Sequence, residues 1–220
     1  MATISKENYL KAIYNLAGQN GDSISTSLLA KELNISNSAI SEMASRLSDQ
    51  GFIDYKKYKG IKILSKGKKI AKNVLRKHRL WELFLIDTLN MNWGEVHDEA
   101  EKLEHSTSEN LIDRIDEYLN YPSTDPHGAP IPDKSGDYRL NVDDFSMANC
   151  EVGESYSISR VNDKRKDLIS YLSKINLTLN KRVKVLDRLE FDGSLIIEID
   201  NVSHTLSEKV IDNIFIKKIS

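Results

Sequence analysis

Apolar and polar positions change their period several times along these 220 residues, and each change marks an element. In "SKENYLKAIYNLAG", Tyr9, Leu10, Ile13, Tyr14 and Leu16 recur at helical spacing and form a broad apolar stripe that ends at Gly18. "STSLLAKELNIS" places serine and threonine caps ahead of Leu28, Leu29 and Leu33. After a short break, "SNSAISEMASRLSDQG" starts from a capping Ser36, turns Ile40, Met43, Ala44 and Leu47 inward, and stops at Gly51. The period then falls to two: "FIDYKKYKGIKIL" is a pair of β-rich runs around a turn at Tyr58, Lys59 and Gly60. Two short helices joined by a tight turn and followed by a β-hairpin predict a winged helix-turn-helix.

From Ser65 to Leu89, "SKGKKIAKNVLRKHRLWELFLIDTL" has more apolar positions than one narrow stripe needs, which predicts a long, substantially buried helix. Amphipathic helical patterns at 94–105 and 108–121 follow, before "PSTDPHGAPIPDKSG" interrupts with all four prolines of the chain. Wide apolar faces on adjacent helices are what a two-fold interface requires. Beyond Asp137 the runs "CEVGESYSISRVN", "RVKVLDRLE", "SLIIEID" and "VIDNIFIKKI" are short and β-rich, with one brief helix expected at 167–174, the pattern of a small β-barrel. The chain thus reads as mainly α with β in three domains: 1–72 winged helix-turn-helix, 73–140 helical, and 141–220 a small β domain.

The net charge of −2 conceals an uneven layout. Residues 1–78 carry 14 Lys and Arg against 6 Asp and Glu, residues 79–140 carry 5 against 14, and the remainder is close to balance. A basic N-terminal module implies a polyanion and an acidic middle implies cations. In a helix-turn-helix the start of the second helix reaches base edges, which makes Ser36, Asn37, Ser38, Ser41 and Glu42 the candidate readers. Arg46 and the wing lysines Lys56, Lys57, Lys59 and Lys62 would position the module through phosphates. The single Cys150 excludes an internal disulfide framework and thiolate-rich zinc sites, as expected of a reducing cytoplasm. With no signal peptide and no apolar run of bilayer length, the expected protein is cytoplasmic and needs no membrane partner.

Four of the five histidines lie in or beside the acidic segment. Within "VHDEAEKLEH", a continuous helix would bring His97, Glu101, Glu104 and His105 to one face beside the apolar positions Val96, Ala100 and Leu103. Imidazoles and carboxylates gathered beside a buried stripe are costly to desolvate unless an ion compensates them, so the stretch reads as a ligand cluster. His78 and Glu82, four residues apart, form a second clip that His97 can complete. The donors are nitrogen and oxygen without sulfur, which suits Mn²⁺ or Fe²⁺ better than Cu⁺ or Zn²⁺. No constellation of nucleophile, base and orienting group can be assembled, so no catalytic residue and no small-molecule substrate are expected.

"KENYLKAIY", "RKHRLWELFL", "VHDEAEKLEH" and "DPHGAPIP", in that order over residues 5–132, resemble the diphtheria toxin repressor family of metal-dependent transcriptional regulators, nearest its manganese-responsive three-domain branch. The tail is similar, more loosely, to the SH3-like, FeoA-like third domain of that branch. The resemblance implies a primary activating site at Asn8, Glu101, Glu104 and His105, and a secondary one at His78, Glu82 and His97 with Asp125, His127 and Asp163. Glu101 stands where iron-type relatives often carry cysteine. Asn8 departs from the aspartate or methionine usual there, and one negative charge fewer should weaken the site or alter its preference. Lys11 occupies a position that is acidic in two-domain manganese regulators.

The expectation is a homodimeric repressor of metal-uptake genes, activated by Mn²⁺, that binds a double-stranded inverted-repeat operator with recognition helices roughly 34 Å apart. Metal joining the first helix to the dimerisation domain would favour one spacing of those helices. An iron-responsive repressor of the same family is the alternative, and a metallohydrolase acting on nucleic acid is a third reading without a visible general base.

Overall fold

Serine hydroxyls and left-handed turns set the bounds of the N-terminal helices. In the computed structural model, which describes residues 6–18, 21–56, 59–139, 143–162 and 166–219, α1 (Lys6–Ala17) gives way to Gly18 at φ +62°. The Ser25 side chain accepts from the Leu28 amide to cap α2 (Thr26–Leu33), which Asn34 closes in the left-handed region at φ 52°. Ser36 accepts from Ala39 and so caps α3 (Asn37–Asp49). The wing is an antiparallel pair, β1 (Ile53–Lys56) on β2 (Gly60–Ile63), in register from Ile53 opposite Ile63 to Lys56 opposite Gly60. Leu10, Ile13, Leu29, Ile40, Leu47, Ile53 and Ile61 bury together as the core of this module.

Two compact units divide the chain. The first takes residues 1–77 with 104–107 and 132–137, and the second takes 78–103, 108–131 and 138–220. α4 (Ser65–Asp87) begins in the first unit and ends in the second.

In the second unit the latter half of α4 is joined by α5 (Val96–Leu103) and α6 (Glu109–Tyr118), the latter capped by the Ser108 hydroxyl on the Leu111 amide. Leu80, Ile112, Ile115 and Ile131 form their small core, with Trp81, Phe84 and Leu119 packed against it. The helices are shorter than the apolar pattern predicts, for local reasons. α4 ends two residues before Leu89 and is followed by Asn90 at φ 55°, and α6 gives out before Asn120 and Tyr121, both at positive φ. α5 ends at Leu103, so Glu104 and His105 lie beyond the helix in a turn.

The rest of this unit is a six-stranded antiparallel sheet ordered β3-β8-β4-β5-β6-β7. Its strands are β3 (Phe145–Ser146), β4 (Ser155–Val161), β5 (Arg182–Arg188), β6 (Leu195–Ile199), β7 (Val202–Leu206) and β8 (Ile214–Lys218), with α7 (Lys166–Lys174) after β4 and the one-turn α8 (Glu208–Ile211) before β8. Register shifts at Ile158/Arg160 and Val185/Asp187 bend the sheet, in keeping with an SH3-like form. Its core runs from Met147 and Tyr156 through Leu172 and Val185 to Ile216, with Trp93 packed against it. The proline-rich loop is tied to the same sheet: the Val161 amide donates to the His127 carbonyl at 2.9 Å, and a Cβ on Gly128, which has φ +86°, would fall 2.0 Å from the Ser159 oxygen. Only glycine fits there.

No helix among the described residues is long and apolar enough to cross a membrane.

Candidate metal centre and nucleic-acid face

A buried carboxylate is the hub of the first cluster. α4 carries His78 and Glu82 one turn apart, and the fully buried Glu82 holds its Oε1 3.0 Å from His78 Nε2, 3.2 Å from His97 Nδ1 and 3.9 Å from His127 Nε2. On its other edge His78 presents Nδ1 to Glu101 Oε1 at 3.8 Å. The two imidazoles also approach each other, His78 Nε2 lying 3.2 Å from His97 Nδ1. One ligand atom each from His78, His97 and Glu101 falls within 4.8 Å of the others, the spread expected of donors around a single first-row cation.

His127 comes to this cluster from the proline-rich loop, and its surroundings explain how. Its ring stacks on Trp93 with centroids 5.1 Å apart and 20° between planes, while Trp93 Nε1 donates to the Pro126 carbonyl. Asp125 shapes the loop: its Oδ1 accepts the amides of His127 and Ala129 at 2.8 and 2.9 Å, and its Oδ2 lies 3.5 Å from Arg79 Nε. The secondary set expected from sequence therefore separates. His78, Glu82, His97 and His127 come together, whereas Asp125 is directed to the loop amides and Arg79, and Asp163 lies outside the described residues.

The second cluster is in the first unit. His105 Nδ1 is 2.6 Å from Glu7 Oε2 on α1, and His105 Nε2 is 3.1 Å from Glu104 Oε1. Glu104 has no exposed side-chain surface and meets Lys11 through both carboxylate oxygens, at 2.7 and 2.9 Å. Asn8 sits on the same helix, half-buried, between Glu7 and Lys11. Because α5 stops at Leu103, the four acidic and imidazole groups of "VHDEAEKLEH" do not share one continuous helical face. His97 and Glu101 belong with His78 in the second unit, and Glu104 and His105 belong to the first. Glu7, Arg79 and Trp93 escaped the sequence reading. Glu7 and Lys11 are i, i+4 neighbours on α1, a spacing that could have marked that face; Trp93 and Arg79 gave no such signal.

On the winged helix, Ser36, Asn37, Ser38, Glu42 and Arg46 are exposed along α3, Ser41 is half-buried, and Lys56, Lys59 and Lys62 are exposed on the wing. Lys57 lies outside the described residues. The Ser36 and Ser41 hydroxyls serve the helix itself, as N-cap and as donor to the Asn37 carbonyl. A cleft of about 760 Å³ separates recognition helix from wing, lined by Ser25, Thr26, Ser41, Glu42, Ser45 and Lys59 among others. Tyr9 lies in the core of this module, where burial, and then the Glu42 charge, push its phenol above the ordinary value.

Three family profiles match in chain order: an iron-dependent repressor N-terminal DNA-binding domain over 1–61, an iron-dependent repressor metal-binding and dimerisation domain over 64–133, and a FeoA domain over 145–218. A solved manganese-dependent transcriptional repressor in complex with manganese superposes with a TM-score of 0.90 at 33% identity, over 97% of this chain and 99% of that one. The chain belongs to the diphtheria toxin repressor family. Among relatives of known sequence, the transcriptional regulator MntR of Oceanobacillus iheyensis is 37% identical over 121 residues, 55% of this chain and 81% of its own. The iron-dependent repressor IdeR of Mycobacterium tuberculosis is 36% identical over 126 residues, 57% of this chain and 54% of its own. The match to the manganese-dependent relative thus spans nearly the whole chain, across the residues of all three profiles.

Proposed function

We propose that this family member is a metal-activated, DNA-binding transcriptional repressor whose effector is Mn²⁺. The observation that carries the reading is the placement of Glu104 and His105 against α1. α1 is part of the winged-helix core through Tyr9, Leu10 and Ile13, so whatever binds Glu104 and His105 acts on the module that carries the recognition helix.

The residues present fit a divalent cation. Two carboxylates without exposed side-chain surface, Glu82 and Glu104, each stand within hydrogen-bonding distance of imidazoles, and the donors are oxygen and nitrogen alone, since Cys150 is packed in the β-domain core. Glu104 and His105, with Asn8 on α1, are the activating donors we assign; the family resemblance adds Glu101. His78, Glu82, His97 and His127 are the secondary donors, with Asp125 positioning His127. When bound, the ion supplies the positive charge that these buried carboxylates need and fixes the directions of its ligands. The chain's own groups do the rest: α1 is held to the turn after α5, Ser36 sets the start of α3, and Lys56, Lys59 and Lys62 offer charge to phosphates.

Two copies bind as a homodimer on an inverted-repeat operator upstream of metal-uptake genes. Supporting the dimer, Leu111 and Tyr118 are both exposed on α6 seven residues apart, an apolar face that a second copy would cover. An iron-responsive repressor is the second reading, favoured by the likeness to IdeR and by donors that serve Fe²⁺ nearly as well. The test is binding to upstream DNA of a metal-transporter gene, in chelator and then with Mn²⁺, Fe²⁺ and Zn²⁺ titrated separately, for the wild type and a Glu104→Ala/His105→Ala variant. Binding that appears with Mn²⁺ at the lowest concentration and is lost in the variant supports the assignment. Preference for Fe²⁺ transfers it to the second reading, and binding indifferent to chelator removes both.

A further inference from the structure

Glu104 is a buried carboxylate whose two oxygens are both already engaged by an ammonium. Lys11 Nζ lies 2.7 Å from one and 2.9 Å from the other; the lysine side chain is 12% exposed and the glutamate side chain 0%. His105 Nε2 touches the same Oε1 at 3.1 Å, and Glu7 holds the far nitrogen of that ring. Glu7, His105, Glu104 and Lys11 therefore form one chain of alternating donors and acceptors whose ends, Glu7 and Lys11, are one turn apart on α1.

Resting on the proposed activating role of Glu104 and His105, we infer that Lys11 is a resident competitor for the metal: its ammonium supplies the charge that Glu104 needs in the metal-free protein, and it must give up at least one carboxylate oxygen when a cation is taken. Three physical points lead there. An anion without exposed surface is expensive to keep without a counter-charge, and the Lys11 ammonium supplies one through both oxygens. An ammonium held by both oxygens occupies the carboxylate's chelating edge, so a cation takes that edge only when the Lys11 contact is released. An ammonium beside a divalent ion is a like charge, so binding works against its position even after it swings aside. Lys11 thereby raises the metal concentration at which the protein responds, and it keeps α1 attached to the turn at Glu104 while metal is absent. Exposed ion pairs do neither, because water competes for both partners.

The experiment compares wild type with Lys11→Gln and Lys11→Met, and follows Mn²⁺ binding by titration calorimetry or by loss of the free Mn²⁺ electron-spin resonance signal. The thermal midpoint of each protein in chelator is measured beside it. The expected result is Mn²⁺ affinity at Glu104 about tenfold or more tighter in both variants, the size of one lost hydrogen bond to a charged group, with a lower midpoint in chelator that Mn²⁺ restores. Glutamine retains a donor and should stay folded if methionine does not. Unchanged or weaker Mn²⁺ affinity in a folded variant overturns the competitor role and leaves Lys11 as an orienting contact. A Glu104→Ala control separates this failure from that of the site: if the control still binds Mn²⁺ like the wild type, the activating-site assignment and the competitor role both fall.

Discussion

His78 and His97 meet edge to face, with ring centroids 4.8 Å apart and planes inclined at 71°, and both rings bond the same buried oxygen of Glu82. Two imidazoles converging on one carboxylate are a donor set, and removing both should cost about one bound ion per chain. Elemental analysis of Mn²⁺-saturated, desalted His78→Ala/His97→Ala protein checks this. Full wild-type stoichiometry in the variant would show that the cluster is only a hydrogen-bonded core.

The loop that delivers His127 depends on Gly128. Alanine at this position puts a Cβ 2.0 Å from the Ser159 oxygen on a backbone at φ +86°, so Gly128→Ala should destabilise the protein by at least about 2 kcal/mol in urea denaturation. Asp125→Ala should cost a similar amount, about 2 kcal/mol, because two loop amides lose their acceptor and Arg79 loses the carboxylate beside it. A neutral effect of both would mean that the loop is not anchored as described.

Replacing Lys59 or Lys62 by alanine should weaken DNA binding alike on all sequences and lower the slope of log K against log salt by about one per lysine. Glu42→Ala should instead change which sequences are preferred, since a carboxylate on the recognition helix accepts from cytosine edges and repels phosphates. Binding isotherms at several salt concentrations on a randomised operator library separate these two effects.

Cys150 lies in the β-domain core, where burial pushes its thiol above the ordinary value against the opposing pull of Arg188. The reactive thiolate is thus scarce at neutral pH, and Ellman's reagent should react only as the protein unfolds. Rapid labelling of the native protein would contradict the packing.

Much of this was legible in the chain. Ser25 and Ser36 cap helices as their patterns indicate, and the wing pairs around Lys59 and Gly60. Periodicity failed where a distant group decides the outcome. The pattern at 94–105 runs on past Leu103, but Glu104 and His105 are drawn to Lys11 and Glu7, more than ninety residues earlier, and the helix ends. The family resemblance implied Asp125 as a donor; its contacts with Arg79 and two amides are a property of the folded loop. The partition of Glu101 from Glu104 could not be read from spacing, because helical spacing assumes that the helix continues.

If metal at the α1 cluster and DNA on the winged helix favour the same state, linkage makes the coupling measurable in one titration. Mn²⁺ affinity should be determined with and without saturating operator DNA. DNA should tighten Mn²⁺ binding by the same factor, about 5- to 150-fold, by which Mn²⁺ tightens DNA binding. Equal Mn²⁺ affinity in the two conditions would contradict it.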